Sequence, residues 1–381
     1  MRLIELQNES DSAQACHAAG RAVVDENLRG WAALLPLDPP VLAEGLKHGG
    51  LAVLRGSKQA LAMGSLSQLW GAARSLADAL EKPQSQALAR ELMLRAAAVE
   101  SPPRAWQVPR TKLRKGPLIM GIVNVTPDSF SDGGQFLDSA AAIRHGLRLA
   151  DEGADILDVG GESTNPFGSQ PLSAADERAR VEPVVRELSV RGLCVSIDTT
   201  KAEVAKAALD AGAQIVNDVS GLARDPELGQ VVKSYGAALC LMHMRGVPQD
   251  MQERASYADL HAEVLDELSQ ALQRARDAGV PDERIALDPG LGFAKTAAHN
   301  LTLLRRLREL CQLQRPLVVG ASRKSFIGKA TGQKEPAQRL FGSLAAAALA
   351  AAQGAAVLRV HDVQATKEAL QLTEAVRTSP A

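Results

Sequence analysis

The chain has 381 residues, with 43 Lys+Arg against 44 Asp+Glu and a formal net charge of −1. That length exceeds one ordinary domain, and the even charge argues against the basic excess of a nucleic-acid-binding module. Six Phe, three Trp and two Tyr are too few for a base-stacking surface, and the four scattered cysteines (Cys16, Cys194, Cys240, Cys311) form no C-x-x-C pair for zinc or redox work.

In chain order, the first residues meet charge at Glu5, so no apolar leader is expected. Residues 41–48 have a helical pattern stopped by Gly49 and Gly50. Residues 51–55 and 60–63 are short strand candidates, and residues 65–80 and 84–98 carry helix-period apolar positions. Residues 1–100 therefore read as a small α+β domain of unknown role, without a cluster of chemistry-bearing side chains. Residues 101–116 read as a linker: the run ESPPRAWQVPRTKLRKG holds three prolines and five basic residues with no period, which suits a solvated connector.

From residue 117 to residue 381 the texture changes. Apolar runs rich in Val, Ile and Leu occur at 118–125, 155–159, 193–197, 214–216, 237–242, 284–287, 317–319 and 357–360. Helical stretches such as 139–152, 200–211, 255–278 and 336–353 separate them. Continuous apolar runs are strands buried on both faces, as in a parallel sheet. Eight βα units in about 265 residues fit a (β/α)₈ TIM barrel better than an open sheet. The fold class is thus α/β, a barrel preceded by a small α+β domain. The apolar stretch 344–358 is interrupted by Gln353 and Gly354, so no membrane span is expected, and the cytoplasm is the expected compartment.

Each run ends on polar residues: Asn124, Asp158, Asp198, Asn217-Asp218, Met242-His243, Asp288, Ser322-Arg323-Lys324, and Arg359 with His361 and Asp362. Any one alone is as readily a helix cap. Eight together point to a site, because the carboxyl ends of barrel strands converge on one face. Asp158, Asp198, Asn217 and Asp288 suit a heterocycle rich in N–H donors. Lys324, Arg359 and His361 suit phosphate or pyrophosphate. Two long loops with Gly, Pro and hydroxyls follow the first two strands, at 126–134 and 162–170, and suit a mobile lid. Gly290-Leu-Gly292 fails as a dinucleotide fingerprint, and Cys240-Leu-Met-His243 is a poor zinc site.

The stretches MGIVNVTPDSFSDGG (120–134), DILDVGGEST (155–164), VSIDTTK (195–201), IVNDVSG (215–221), LMHMRG (241–246), LDPGLGFAK (287–295), GASRKSFIG (320–328) and LRVHDV (358–363) closely resemble the dihydropteroate synthase family. The resemblance covers the chain from about residue 117 onward and implies the same barrel. It implies condensation of dihydropterin pyrophosphate with 4-aminobenzoate to dihydropteroate, with Mg²⁺ as cofactor and a homodimer as the assembly. By this resemblance Asp158, Asp198, Asn217, Met242, Asp288, Phe293 and Lys324 form the pterin set. Asn124, Thr164, Arg359 and His361 hold pyrophosphate, with Asn124 also meeting the metal. Phe130, Pro166 and Ser325, beside Lys324, form the aminobenzoate site, and Asp132 stabilises the transferred cation. Asp132, Lys324, Arg359 and His361 are the catalytic group.

The second loop departs from the family run STRPG. Here it reads Ser163-Thr-Asn165-Pro-Phe167-Gly168, with Asn165 in place of an arginine and Phe167 as a one-residue insertion. A neutral amide is no substitute for a bidentate anion clamp, and Arg323 is a candidate replacement. Two alternatives follow: a catalytically impaired pterin-binding paralogue, and a pterin-dependent methyltransferase. The first domain loosely resembles one found ahead of the barrel in some bacterial members, through HGGLAVLRG (48–56) and LAMGSLSQL (61–69).

Overall fold

The computed structural model describes residues 1–6, 15, 30–36, 46, 51–55, 59–79, 83–125, 135–162 and 172–379. Its contacts divide into two units: Met1–Pro103 with Arg306–Gln314, and Arg104–Arg305 with Arg315–Ala381.

The first unit holds an antiparallel sheet of β1 (Arg2–Leu6), β2 (Gly30–Pro36), β3 (Ala52–Arg55) and β4 (Gln59–Gly64), in the order β1-β2-β4-β3. Helices α1 (Leu66–Ala79) and α2 (Pro83–Glu100) follow. Leu69, Ala73 and Ala77 of α1 recur every fourth residue, as do Leu92 and Ala96 of α2, so each helix buries one stripe. Those stripes share a core with Leu3, Trp31, Ala33 and Leu35. The strands and helices expected from residue 51 onward are present; β1 and β2 were not foreseen. The helix expected over 41–48 falls almost wholly outside the described residues.

A late segment completes this unit. Leu307–Leu313 forms a 3₁₀ turn whose Gln312 side chain accepts from Leu3 N (2.9 Å) and donates to Leu3 O (3.1 Å). Glu309 accepts from Glu5 N at 3.0 Å and pairs with Arg306, both ends of that pair being 2% exposed.

The second unit is the expected barrel. Its strands are β5 (Leu118–Asn124), β6 (Ile156–Gly160), β7 (Val195–Asp198), β8 (Ile215–Asp218), β9 (Ala238–Met242), β10 (Ile285–Asp288), β11 (Val318–Val319) and β12 (Val357–Val360). All pair in parallel, in the order β10-β9-β8-β7-β6-β5-β12-β11. A parallel bridge between Leu287 and Leu317 joins the two ends and closes the barrel. The strands fall within two residues of the apolar runs.

Among the described residues the barrel helices are α3 (Gln135–Glu152), α4 (Ala174–Val190), α5 (Ala202–Asp210), α6 (Leu228–Tyr235), α7 (Leu260–Asp277), α8 (Ala297–Arg305), α9 (Ser325–Thr331), α10 (Leu340–Ala352) and α11 (Val363–Thr378). Helix α7 begins five residues later than expected because Asp259 caps it, accepting from Ala262 N at 3.1 Å. The stretch 336–353 divides into a 3₁₀ turn, Pro336–Arg339, and α10.

The linker reading needs correction. The segment has no regular structure, but it is not solvated throughout. Trp106 and Val108 are buried in one core cluster with Leu118, Ile156, Ile215, Ala286 and Val318, from the amino-terminal ends of the barrel strands. Trp106 Nε1 donates to Arg284 O at 2.8 Å, and Arg114 pairs with Asp155 at 2.7 Å. An aromatic ring closing a barrel's lower end leaves no periodicity for sequence reading to detect.

Candidate active site

The residues at the carboxyl ends of the strands come together where a barrel site forms. Asp158 of β6 is fully buried, and its Oδ2 accepts from Asn217 Nδ2 of β8 (3.0 Å) and from Arg359 Nε of β12 (2.6 Å). Arg359 Nη2 reaches Asp198 Oδ2 of β7 at 2.7 Å. One guanidinium thus joins three strand ends. Burial pushes the Asp198 carboxyl up, with Arg359 opposing and Asp158 adding to the rise. The same two carboxylates hold the Arg359 guanidinium above its ordinary range despite its burial.

This arrangement corrects the separation of an acidic from a basic group. The two interleave, because buried carboxylates at a barrel mouth need a cation or donors to stay charged. One acceptor is left over: Asp158 Oδ1 is buried and has no hydrogen-bond partner among the described residues.

Across the mouth, Asp288 of β10 is buried and accepts from Gly290 N at 2.7 Å. Burial raises its proton affinity, with Lys324 pulling the other way. Lys324 occupies the residue before α9 and donates to Leu291 O, while its ammonium sits 4.5 Å from the centre of the Phe293 ring. Burial lowers Lys324 to about 8, against Asp288. Met242 is buried at the end of β9. His361 Nδ1 lies 3.0 Å from Ser322 Oγ, and burial brings the imidazole down to about 4, so it is neutral at pH 7. Asn124 is exposed at the end of β5, and Ser325 is exposed at the start of α9. Asp132, Phe130, Thr164 and Pro166, with Asn165 and Phe167, lie outside the described residues.

Not every strand-end acid serves the mouth. Asp218 accepts from Ser220 N (2.8 Å), Ser220 Oγ (2.7 Å) and Leu222 N (2.6 Å), which spends its lone pairs on its own turn. Arg323 is bound to Asp362 through Nε (3.0 Å) and Nη2 (2.5 Å).

Residues 120–361 match the family model described as pterin binding enzyme. The Synechocystis dihydropteroate synthase is 47% identical over 259 residues, covering 68% of this chain and 89% of the relative. The Xanthomonas albilineans dihydropteroate synthase with 4-aminobenzoic acid matches at 47% identity and TM-score 0.66, over 70% of this chain and 95% of that one. The same organism's enzyme in complex with 7,8-dihydropteroate matches at 45% identity and TM-score 0.64, with the same coverage.

The chain belongs to the dihydropteroate synthase family.

The family match covers residues of the second unit together with Arg306–Gln314 of the first. Sequence reasoning gave no individual role to three groups that lie beside the site residues. Lys201 holds both Glu162 and Glu177, where the second loop leaves β6 and where α4 follows it. Ser322 supports His361. Lys295 is 3% exposed at the end of LDPGLGFAK, a run in which only Asp288 and Phe293 were given roles. A lysine inside an otherwise apolar, glycine-rich turn was the available signal.

Proposed function

We propose that the chain condenses 6-hydroxymethyl-7,8-dihydropterin pyrophosphate with 4-aminobenzoate, releasing pyrophosphate and 7,8-dihydropteroate for folate synthesis. It is a transferase. The observation that carries this reading is Asp158 Oδ1, a buried acceptor with no donor among the described residues, beside Asn217, Asp198 and Asp288 at one barrel mouth. A buried lone pair without a donor costs about 1–3 kcal/mol, and the amino and ring N–H groups of a pterin offer the donors it lacks. Neither an impaired paralogue nor a methyltransferase is favoured by the relatives above.

The chemistry needs no strong base. Pyrophosphate leaves the exocyclic methylene carbon with the bonding pair, and the resulting cation spreads into the pterin ring. The aryl amine of 4-aminobenzoate attacks that carbon and then loses a proton. In this reading Asp198, Asn217, Asp288 and Lys324 orient the pterin between Met242 and Phe293. Arg359 and neutral His361 face the pyrophosphate with Thr164. Phe130, Pro166 and Ser325 receive the aminobenzoate, and Asp132 faces the developing cation.

Mg²⁺ fits the donors present. Among the described residues no three His, Cys, Asp or Glu groups cluster as a metal cage. Asn124 offers one exposed amide oxygen, and Mg²⁺ commonly takes one or two protein oxygens beside substrate phosphates. Bound there, the ion would neutralise charge on the leaving pyrophosphate.

A homodimer and a cytoplasmic setting complete the proposal. Phe341, Ala345 and Leu349 lie exposed on one face of α10, and Leu372 and Val376 on the neighbouring α11. Cys194 and Cys240 are buried free thiols, as suits a reducing compartment. Among the described residues no helix is long and apolar enough to cross a membrane.

Purified protein incubated with the pterin pyrophosphate, 4-aminobenzoate and Mg²⁺ should form dihydropteroate. Tight pterin binding without product would overturn the proposal. Light scattering coupled to gel filtration tests the dimer, and Phe341→Asp should yield monomer.

A further inference from the structure

Lys295 is a buried amine, pushed down to about 7 by burial, with no carboxylate in contact among the described residues. Its Nζ donates to Phe293 O at 2.9 Å and lies 2.8 Å from His243 Nδ1. With Lys295 donating to His243 Nδ1, the neutral ring carries its proton on Nε2, which lies 3.0 Å from Glu267 Oε2 but outside hydrogen-bond geometry among the described residues. Arg245 Nε donates to Glu267 at 2.9 Å. Burial and the Lys295 charge bring His243 down to about 4, in keeping with the neutral ring.

What Lys295 grips is a strained turn. Gly290, Gly292 and Ala294 all have positive φ, at 66°, 87° and 49°. A Cβ on Gly290 would meet His243 O at 2.0 Å, so only glycine fits there. Ala294 has no such excuse, and a non-glycine residue in the left-handed region costs about 1–2 kcal/mol. Three side-chain bonds offset that cost: Lys295 to Phe293 O, Tyr257 Oη to Ala294 O (2.9 Å), and Asn300 Oδ1 from Gly292 N (2.6 Å). This turn supplies both partners of Lys324, the Leu291 carbonyl and the Phe293 ring.

We propose that Lys295 is a positioning residue of the pterin site, acting through the Phe293 carbonyl to hold the turn that fixes the Lys324 ammonium. The proposal rests on the pterin reading of the site. Lys295 contacts His243 Nδ1 and the Phe293 carbonyl, not Asp288 or Lys324.

The test is steady-state kinetics on the full chain with Lys295→Met and Lys295→Gln. Methionine keeps the length and removes every donor; glutamine keeps one N–H for the Phe293 carbonyl. Lys295→Met should raise KM for the pterin pyrophosphate about 10- to 100-fold, with kcat within about threefold and the melting temperature nearly unchanged. Lys295→Gln should restore KM to within about threefold of the unsubstituted chain. A native KM in Lys295→Met, or equal impairment of both variants, overturns the proposal. Should Lys295→Met not fold, Lys295→Gln decides alone: a KM within about threefold supports the clamp, and a rise of about tenfold or more refutes it. An unsubstituted chain that makes no dihydropteroate defeats the function and this inference together; normal activity with unmoved variants defeats the inference alone.

Discussion

Replacing Arg359 by methionine removes one cation from two carboxylates. Asp158 is fully buried and Asp198 is 14% exposed, while Arg359 itself is 21% exposed. Breaking a buried ion pair by deleting one partner costs about 3–5 kcal/mol, and the partial exposure of Arg359 places this case near about 3. For a barrel of this size each kcal/mol moves the melting temperature about 2–4 °C, so the loss should be roughly 6–12 °C at pH 7.5. The variant should also change its pH response. Without the guanidinium, burial holds Asp198 toward the neutral form in the folded state. Its ionised form then opposes folding once pH rises above the unfolded carboxylate range near about 4. The gap between variant and native chain should therefore narrow as pH falls from 8 toward about 5. Adding Asp158→Asn to Arg359→Met should return part of the loss, because one stranded charge is gone. Differential scanning calorimetry at several pH values reads all of this. Equal melting temperatures at pH 7.5, or a gap that stays constant with pH, would refute the idea that Arg359 neutralises the two acids.

Three further outcomes follow from the same geometry. Asp288→Ala should abolish pterin binding by calorimetry, since it removes a buried acceptor at the mouth; retained affinity would move the pterin elsewhere. With Lys324 held down to about 8, kcat/KM for the pterin pyrophosphate should decline as pH rises through that value, because the ammonium is lost; a flat profile from 7 to 9.5 would exclude a required charge. Deleting residues 1–103 should expose Leu307, Leu310, Cys311 and Leu313 and leave Gln312 and Glu309 without their β1 partners; aggregation by light scattering and a lower melting temperature are expected, and an equally stable truncated chain would count against this.

The barrel was legible because each buried parallel strand is a short unbroken apolar run with a polar end, a pattern carried by a few adjacent residues. The first sheet was only half legible. Its strands β3 and β4 are a local hairpin, whereas β1 pairs with β2 across more than twenty residues. The polar ends named the site residues but not their partners. That Arg359 binds Asp158 and Asp198 depends on β12 lying beside β5 and β5 beside β6, which is known only once the barrel closes. Lys295 escaped notice for a related reason: its partner His243 is 52 positions away in the chain. Residues 306–314 look like the continuation of α8, and nothing local reveals that they pack with β1 and α2.

That borrowed segment sets an order of events. The first unit leaves the ribosome long before the barrel, as early domains do, yet a piece of its packing is not made until residue 314. Until then its surface for Leu307 and Leu310 stays open, and Leu3 lacks its Gln312 partner. The strands that close the barrel, β11 and β12, follow just behind. Completion of the early unit and closure of the late one thus converge on the same stretch of translation, and a pause after residue 305 would leave both unfinished.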